Sequence, residues 1–315
     1  MIEDGAAVVA RVVRGGVVES VHRGHLVVLG PDRSVRLRCG NPHRTFFPRS
    51  SLKLVQAVAM LRCGLDLDGE LLALACASHS GEPDHLAGVR RILAGAGLDV
   101  ADLQNTPDLP LDAAAALEWR AAGNEPTPLT QNCSGKHAAM LATCMTAGWD
   151  PVCYRDPTHP LQRAVRAVVA ELTGDGDPAH VTVDGCGAPL FSCTPAGLAR
   201  AFARIATAPA GTPEHRVAVA VRAHPWWLAG TARLPTRLIE AVPGLVAKDG
   251  AEGVFAAALP NGGALAVKIA DGSPRPLPPV VTAALELLGV PGLGDIGKVP
   301  VLGHGEPVGE VEAVL

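Results

Sequence analysis

Ser50 and Lys53, in the segment Arg49-Ser50-Ser51-Leu52-Lys53, stand three residues apart where a polar loop runs into a helical pattern. Residues at that spacing share a helix face, so the Ser50 hydroxyl and the Lys53 amine can meet. A serine becomes a nucleophile only when a neighbouring base takes its proton, and a lysine kept neutral by burial is such a base. Ser51 lies two positions from Lys53 and points elsewhere. Taken alone, an S-x-x-K tetrapeptide is more often a capping serine followed by a solvated lysine. Its weight comes from the rest of the chain.

Three further groups have the residue types for chemistry. Ser78 and Ser80 flank His79 in a loop after a helical stretch, where nucleophiles and proton relays sit, as do ordinary turn serines. Lys248-Asp249-Gly250 follows an apolar strand, and a K-x-G strand beside an S-x-x-K helix is the arrangement of penicillin-recognising acyl-transfer enzymes. Cys133 and Lys136 are three apart at the start of an apolar helix, and Cys186 ends the strand Val181 to Val183. Two thiolates and a neutral amine are a donor set for Zn²⁺ with water as the fourth ligand, although lysine is an unusual ligand and no C-x-x-C spacing is present. There is no G-x-S-x-G elbow, no P-loop and no G-x-G-x-x-G before a helix.

The elements that must carry these residues group by type. Ala6 to Val13, Val17 to Leu29 and Val35 to Arg38 read as strands separated by Gly- and Pro-bearing turns. Helical periodicity runs over 50–65, 66–76, 84–97, 134–147, 159–173, 194–207 and 213–223. Strands return at 244–247, 253–259 and 264–270, followed by a helix over 278–288 and a closing strand over 307–314. Strands at both ends with helices between them predict an α+β fold. Residues 1–65 and 225–315 would form the sheet-containing region, and 66–224 a mostly helical insertion.

Composition narrows the classes. Of 315 residues 48% are apolar and 18% charged, with a net charge of −4, which disfavours a nucleic-acid binder. The longest apolar run, Gly253 to Val267, is broken by Pro260-Asn261-Gly262-Gly263, so no membrane span is expected. Glu3, Asp4 and Arg11 do not fit a secretory leader, which makes the cytoplasm the expected compartment and a framework among the eight cysteines unexpected.

Read in order, these residues resemble the asparaginase II family typified by the rhizobial L-asparaginase. The resemblance rests on Arg14-Gly15-Gly16-Val17-Val18-Glu19-Ser20 with His22-Arg23, Arg49-Ser50…Lys53, and Cys76-Ala77-Ser78-His79-Ser80. It continues through Asn132-Cys133-Ser134-Gly135-Lys136-His137, Asp184-Gly185-Cys186, His224-Pro225 and Lys248-Asp249-Gly250-Ala251. It implies a serine β-lactamase/glutaminase-like fold and hydrolysis of L-asparagine to L-aspartate and ammonia. It implies one Ser50–Lys53 tandem and a second of Ser78 with Lys248, for which Lys268 is a rival. It further implies Arg49, Asp184 and His137 at the substrate, a zinc ion on Cys133, Lys136 and Cys186, and a homodimer. A glutaminase or a β-lactam-acylated relative would share S-x-x-K and K-x-G, though the S-D-N element of the latter is absent. A non-catalytic zinc or thiol sensor would need only the two cysteines.

Overall fold

The structure is a computed structural model that describes residues 2–315. Its sheet begins with the β-branched N-terminal segments: β1 (Ala7–Arg14), β2 (Val17–Leu29) and β3 (Val35–Cys39). The helical middle follows as α1 (Lys53–Arg62), α2 (Gly69–Ala75), α3 (Pro83–Gly95), α4 (Ala113–Ala121), α5 (Ser134–Ala147) and α6 (Pro160–Thr173). A two-stranded sheet of β4 (Val181–Val183) and β5 (Pro189–Phe191) interrupts it. Then come α7 (Pro195–Ala206), α8 (Pro213–Ala223), α9 (Pro225–Leu228) and α10 (Leu234–Ala241). The chain ends with β6 (Val246–Gly250), β7 (Val254–Ala258), β8 (Ala264–Ile269), α11 (Leu277–Leu287), α12 (Gly294–Gly297), β9 (Pro300–Gly303) and β10 (Glu306–Ala313).

The main sheet is antiparallel throughout, in the order β6-β7-β8-β2-β1-β10-β9, with β3 beside β2. Strands from both ends of the chain therefore build one sheet with the helices inserted between them, the α+β arrangement expected from the grouping of strands. β2 is long enough to pair with β1 along residues 17–24 and with β3 along 26–29, while β8 lies on its other edge from Gly24 to Leu29. Two register shifts in the β1–β2 ladder bend it locally. Every residue of β7 (VFAAA) and β8 (ALAVKI) is buried, because α7 and α11 both pack on these strands. Unbroken apolar runs, rather than alternation, are what a doubly covered strand requires.

Two expectations shift in ways that matter for the site. The helix read from Ser50 begins with a 3₁₀ turn over Arg49–Leu52, and α-helical geometry starts at Lys53. The strand read over 244–247 lies at Val246–Gly250, so Lys248 and Asp249 sit within β6 instead of after it. The turn is made by 251–253, since Gly250 still pairs with Val254. Helices α4 and α10 and strands β5 and β9 were not expected. α4 buries none of its residues, so an Ala-rich segment with no apolar face gave no periodicity to read.

Candidate active site

The 3₁₀ turn that carries Ser50 is pressed against β6. A Cβ on Gly250 would stand 2.5 Å from the Pro48 carbonyl oxygen, so glycine allows strand and turn to meet. Ser51 is fully buried and donates to the Pro48 carbonyl at 2.6 Å, which turns it away from Lys53. Ser50 faces a cavity of about 270 Å³, with Ser78 and Asn132 also on its wall. Ser78 is held there from two sides: its N–H donates to the Leu228 carbonyl at 3.1 Å, and the neighbouring His79 N–H donates to Asn132 at 3.1 Å.

Lys53 is buried and commits all three ammonium donors. Its Nζ donates to the Ala77 carbonyl at 2.5 Å, to Ser78 Oγ at 3.0 Å and to Cys133 Sγ at 3.0 Å. The Ala77 carbonyl is a natural acceptor because α2 has ended at Ala75 and nothing continues the helical ladder. The hydrogen bonds thus pair the groups differently from the expected order: Lys53 engages Ser78, and Ser50 Oγ has no hydrogen-bond partner among the described residues.

Lys248 is buried completely and donates to the backbone and side-chain oxygens of Asp249, not to Ser78. The second Asp249 oxygen accepts from Arg233 at 2.7 Å. Burial brings the Lys248 ammonium down to about 8; the Asp249 carboxylate opposes this and the Lys53 charge adds to it. Burial works against the Asp249 carboxylate too, but the Lys248 and Arg233 charges outweigh it and hold the carboxyl well below the usual range. Lys268, the rival in sequence, donates to the backbone carbonyls of Glu252 and of Ile269. It touches neither serine.

The cysteines form a second cluster joined to the first through Lys53. Lys136 Nζ donates to Cys186 Sγ at 3.0 Å, and Cys133 donates to the Asn132 side-chain oxygen at 3.1 Å. The proximity of the two sulfurs splits their acidities: Cys133 and the Lys136 charge, outweighing burial, bring Cys186 down to about 4, while Cys186 and burial push Cys133 up. All eight cysteines are free thiols. Among the described residues no three His, Cys, Asp or Glu side chains are placed to hold a metal ion. A zinc ion would therefore have to take the Lys136 amine as third donor beside the two sulfurs. That set suits a thiophilic ion, and the Lys136 amine already hydrogen-bonds Cys186.

The three residues expected at the substrate are placed differently from one another. Arg49 Nε donates to Asp184 at 2.7 Å, and Arg49 lines a neighbouring cavity of about 520 Å³. Asp184 lies below the ordinary carboxylate range because the Lys136 and Arg49 charges outweigh its burial. His137 is fully buried, its Nδ1 2.6 Å from the Tyr154 hydroxyl, and it is absent from the wall of the serine-lined cavity. Its Nε2 is buried without a partner, and burial depresses its basicity strongly. Arg233 and Glu252, which sequence reasoning did not single out, stand on the cavity wall. No local pattern marks them, since each belongs to a short connection whose course only the folded sheet defines.

A buried lysine bonded to a serine, with a second serine open to the same small cavity, is the equipment of a hydrolase that works through a hydroxyl. The chain belongs to the L-asparaginase II family, whose sequence model matches residues 10–313, and it is an amidohydrolase. No curated protein sequence matches it. Solved structures similar to it include a putative β-lactamase from Bacteroides dorei (14% identity, 84% of this chain and 93% of that one, TM-score 0.46). A β-lactamase from Mycobacterium bovis is also similar (15% identity, 79% and 88%, TM-score 0.43), as is a Bacillus glutaminase (14% identity, 78% and 83%, TM-score 0.33). No helix among the described residues is long and apolar enough to cross a membrane.

Proposed function

We propose that the protein hydrolyses the side-chain amide of L-asparagine to L-aspartate and ammonia through an acyl-enzyme on Ser50. The observation that carries this reading is the opening of Ser50 and Ser78 into one cavity while Lys53 donates to Ser78 Oγ. Family membership supplies the reaction class, and a volume of about 270 Å³ suits a single small amino acid.

In this mechanism the neutral form of Lys53 is the base. Ser50 Oγ attacks the carboxamide carbon as its proton passes to Ser78 Oγ, and the Ser78 proton passes to Lys53. The protonated amine returns a proton by the same route to the leaving nitrogen, the C–N bond breaks, and ammonia departs. Water then attacks the ester and Ser50 recovers its proton. The oxyanion of the tetrahedral intermediate would be met by the Ser50 N–H and an N–H of β6 near Gly250. Cys133, Lys136 and Cys186 would hold a zinc ion, which when bound supplies a fixed positive charge beside the cavity. A homodimer in the cytoplasm completes the reading.

The test is ammonia release from L-asparagine. Wild-type turnover with loss of at least about a thousandfold in kcat for Ser50→Ala is expected. Full activity in Ser50→Ala with loss in Cys133→Ala would favour a thiol- or metal-dependent function instead.

A further inference from the structure

Resting on that reading of the cavity, we propose that Glu252 and Arg233 are the residues that read the two charges of the free amino acid, Glu252 the α-ammonium and Arg233 the α-carboxylate. The site would then be specific for zwitterionic substrates and would exclude asparagine locked in a peptide and amides that lack either charge.

Both side chains border the serine-lined cavity, and each keeps bonding capacity that the protein does not use. Arg233 spends one donor on Asp249 at 2.7 Å, and its remaining N–H groups have no partner among the described residues. The Asp249 anchor holds one guanidinium nitrogen, so the free donors stay on the cavity wall where a planar carboxylate can meet them. Asp249 itself is unavailable to a substrate ammonium, because Lys248 and Arg233 already claim its two oxygens.

The Glu252 carboxylate has no hydrogen bond or ion pair among the described residues and stands exposed at the cavity mouth. Three features position its backbone and leave space for its side chain. Glu252 adopts a left-handed backbone conformation, φ +63°, as does Gly253 after it; the tight turn between β6 and β7 requires it, and this turn carries a carboxylate where glycine would cost less. Its carbonyl is held by the buried Lys268 ammonium. Gly272, opposite, leaves the room that the carboxylate occupies: a Cβ there would lie 2.4 Å from Glu252 Oε2. The turn, the Lys268 charge near it and the glycine opposite thus place a carboxylate without a hydrogen bond on the wall that also carries Ser50 and Ser78. Lys268 is a positioning residue in this account.

The experiment uses three substrates on the purified full chain: L-asparagine, succinamate, which lacks the α-ammonium, and β-alaninamide, which lacks the α-carboxylate. Wild-type enzyme is expected to favour L-asparagine by about tenfold to a hundredfold in kcat/KM over each truncated amide, the range for a lost charge-assisted hydrogen bond. Glu252→Gln should collapse the asparagine-to-succinamate ratio and leave the asparagine-to-β-alaninamide ratio near its wild-type value. Arg233→Gln should do the reverse. If wild-type enzyme turns over L-asparagine and both truncated amides equally, or if each variant loses all three substrates in proportion, the assignment is overturned while the asparaginase reading stands. If wild-type enzyme releases no ammonia from any side-chain amide, the underlying reading fails first and the assignment with it.

Discussion

Replacing Lys248 with methionine removes a charge from a wholly buried position, and the consequence is legible in how stability depends on pH. In the folded chain the Lys248 ammonium is brought from its usual 10.5 down to about 8 by burial. Between those values the unfolded chain binds a proton that the folded chain has released, so stability rises with pH across that window. The contribution is fully present above 10.5 and is lost as pH falls through 8. A depression of this size corresponds to about 3 kcal/mol, without discount for screening because the side chain is wholly buried. Lys248→Met has no such proton, and Asp249, still held by Arg233, stays ionised throughout and adds no slope. Urea unfolding followed by the fluorescence of the four tryptophans, at pH 7.5 to 10.5 and constant ionic strength, measures it. The stability difference, wild type minus variant, should grow by about 3 kcal/mol over that range. The one thiol on which the Lys248 charge acts, Cys76, is held at about 12 by burial and so lies above the window. Parallel curves would mean that Lys248 keeps an ordinary proton affinity, and the argument from burial would fail.

Lys268→Met should lower asparagine turnover without abolishing it, because the amine supports the Glu252 carbonyl and not a serine; complete loss in steady-state assays would reinstate Lys268 as part of the serine apparatus. Cys186→Ala should reduce zinc bound by the purified protein, measured by mass spectrometry of the metal, while Cys153→Ala, which removes an exposed thiol outside the Cys133–Lys136–Cys186 set, should not. Ser51→Ala removes the buried bond to the Pro48 carbonyl, and urea unfolding should show a loss of about 1 kcal/mol with ammonia release retained.

Much of the architecture was readable because its signals are local. The β-branched runs of β1 and β2 and the long apolar stretches of β7 and β8 announced strands at both ends, and their separation by helices announced the insertion. What the sequence left open depends on contacts between distant segments. The S-x-x-K spacing brought Ser50 and Lys53 onto one short stretch, but nothing local foretold that α2 would end where the Ala77 carbonyl captures the lysine and directs it to Ser78. Neither Lys248 nor Lys268 hydrogen-bonds a serine: the first is held by Asp249 and the second by the Glu252 and Ile269 carbonyls, contacts that no local pattern announces. Glu252 was invisible for a similar reason: its meaning comes from a left-handed turn, a lysine from the next strand and a glycine beyond it.

Acid quenching of the enzyme during turnover of L-asparagine, followed by tryptic mapping, bears most directly on the mechanism. Cleavage after Arg49 and Lys53 releases Ser50-Ser51-Leu52-Lys53, and fragmentation separates Ser50 from Ser51, whose hydroxyl is buried against Pro48. A β-aspartyl ester on Ser50 is the predicted result. An ester on Ser78, or turnover with no ester on either serine, would contradict it.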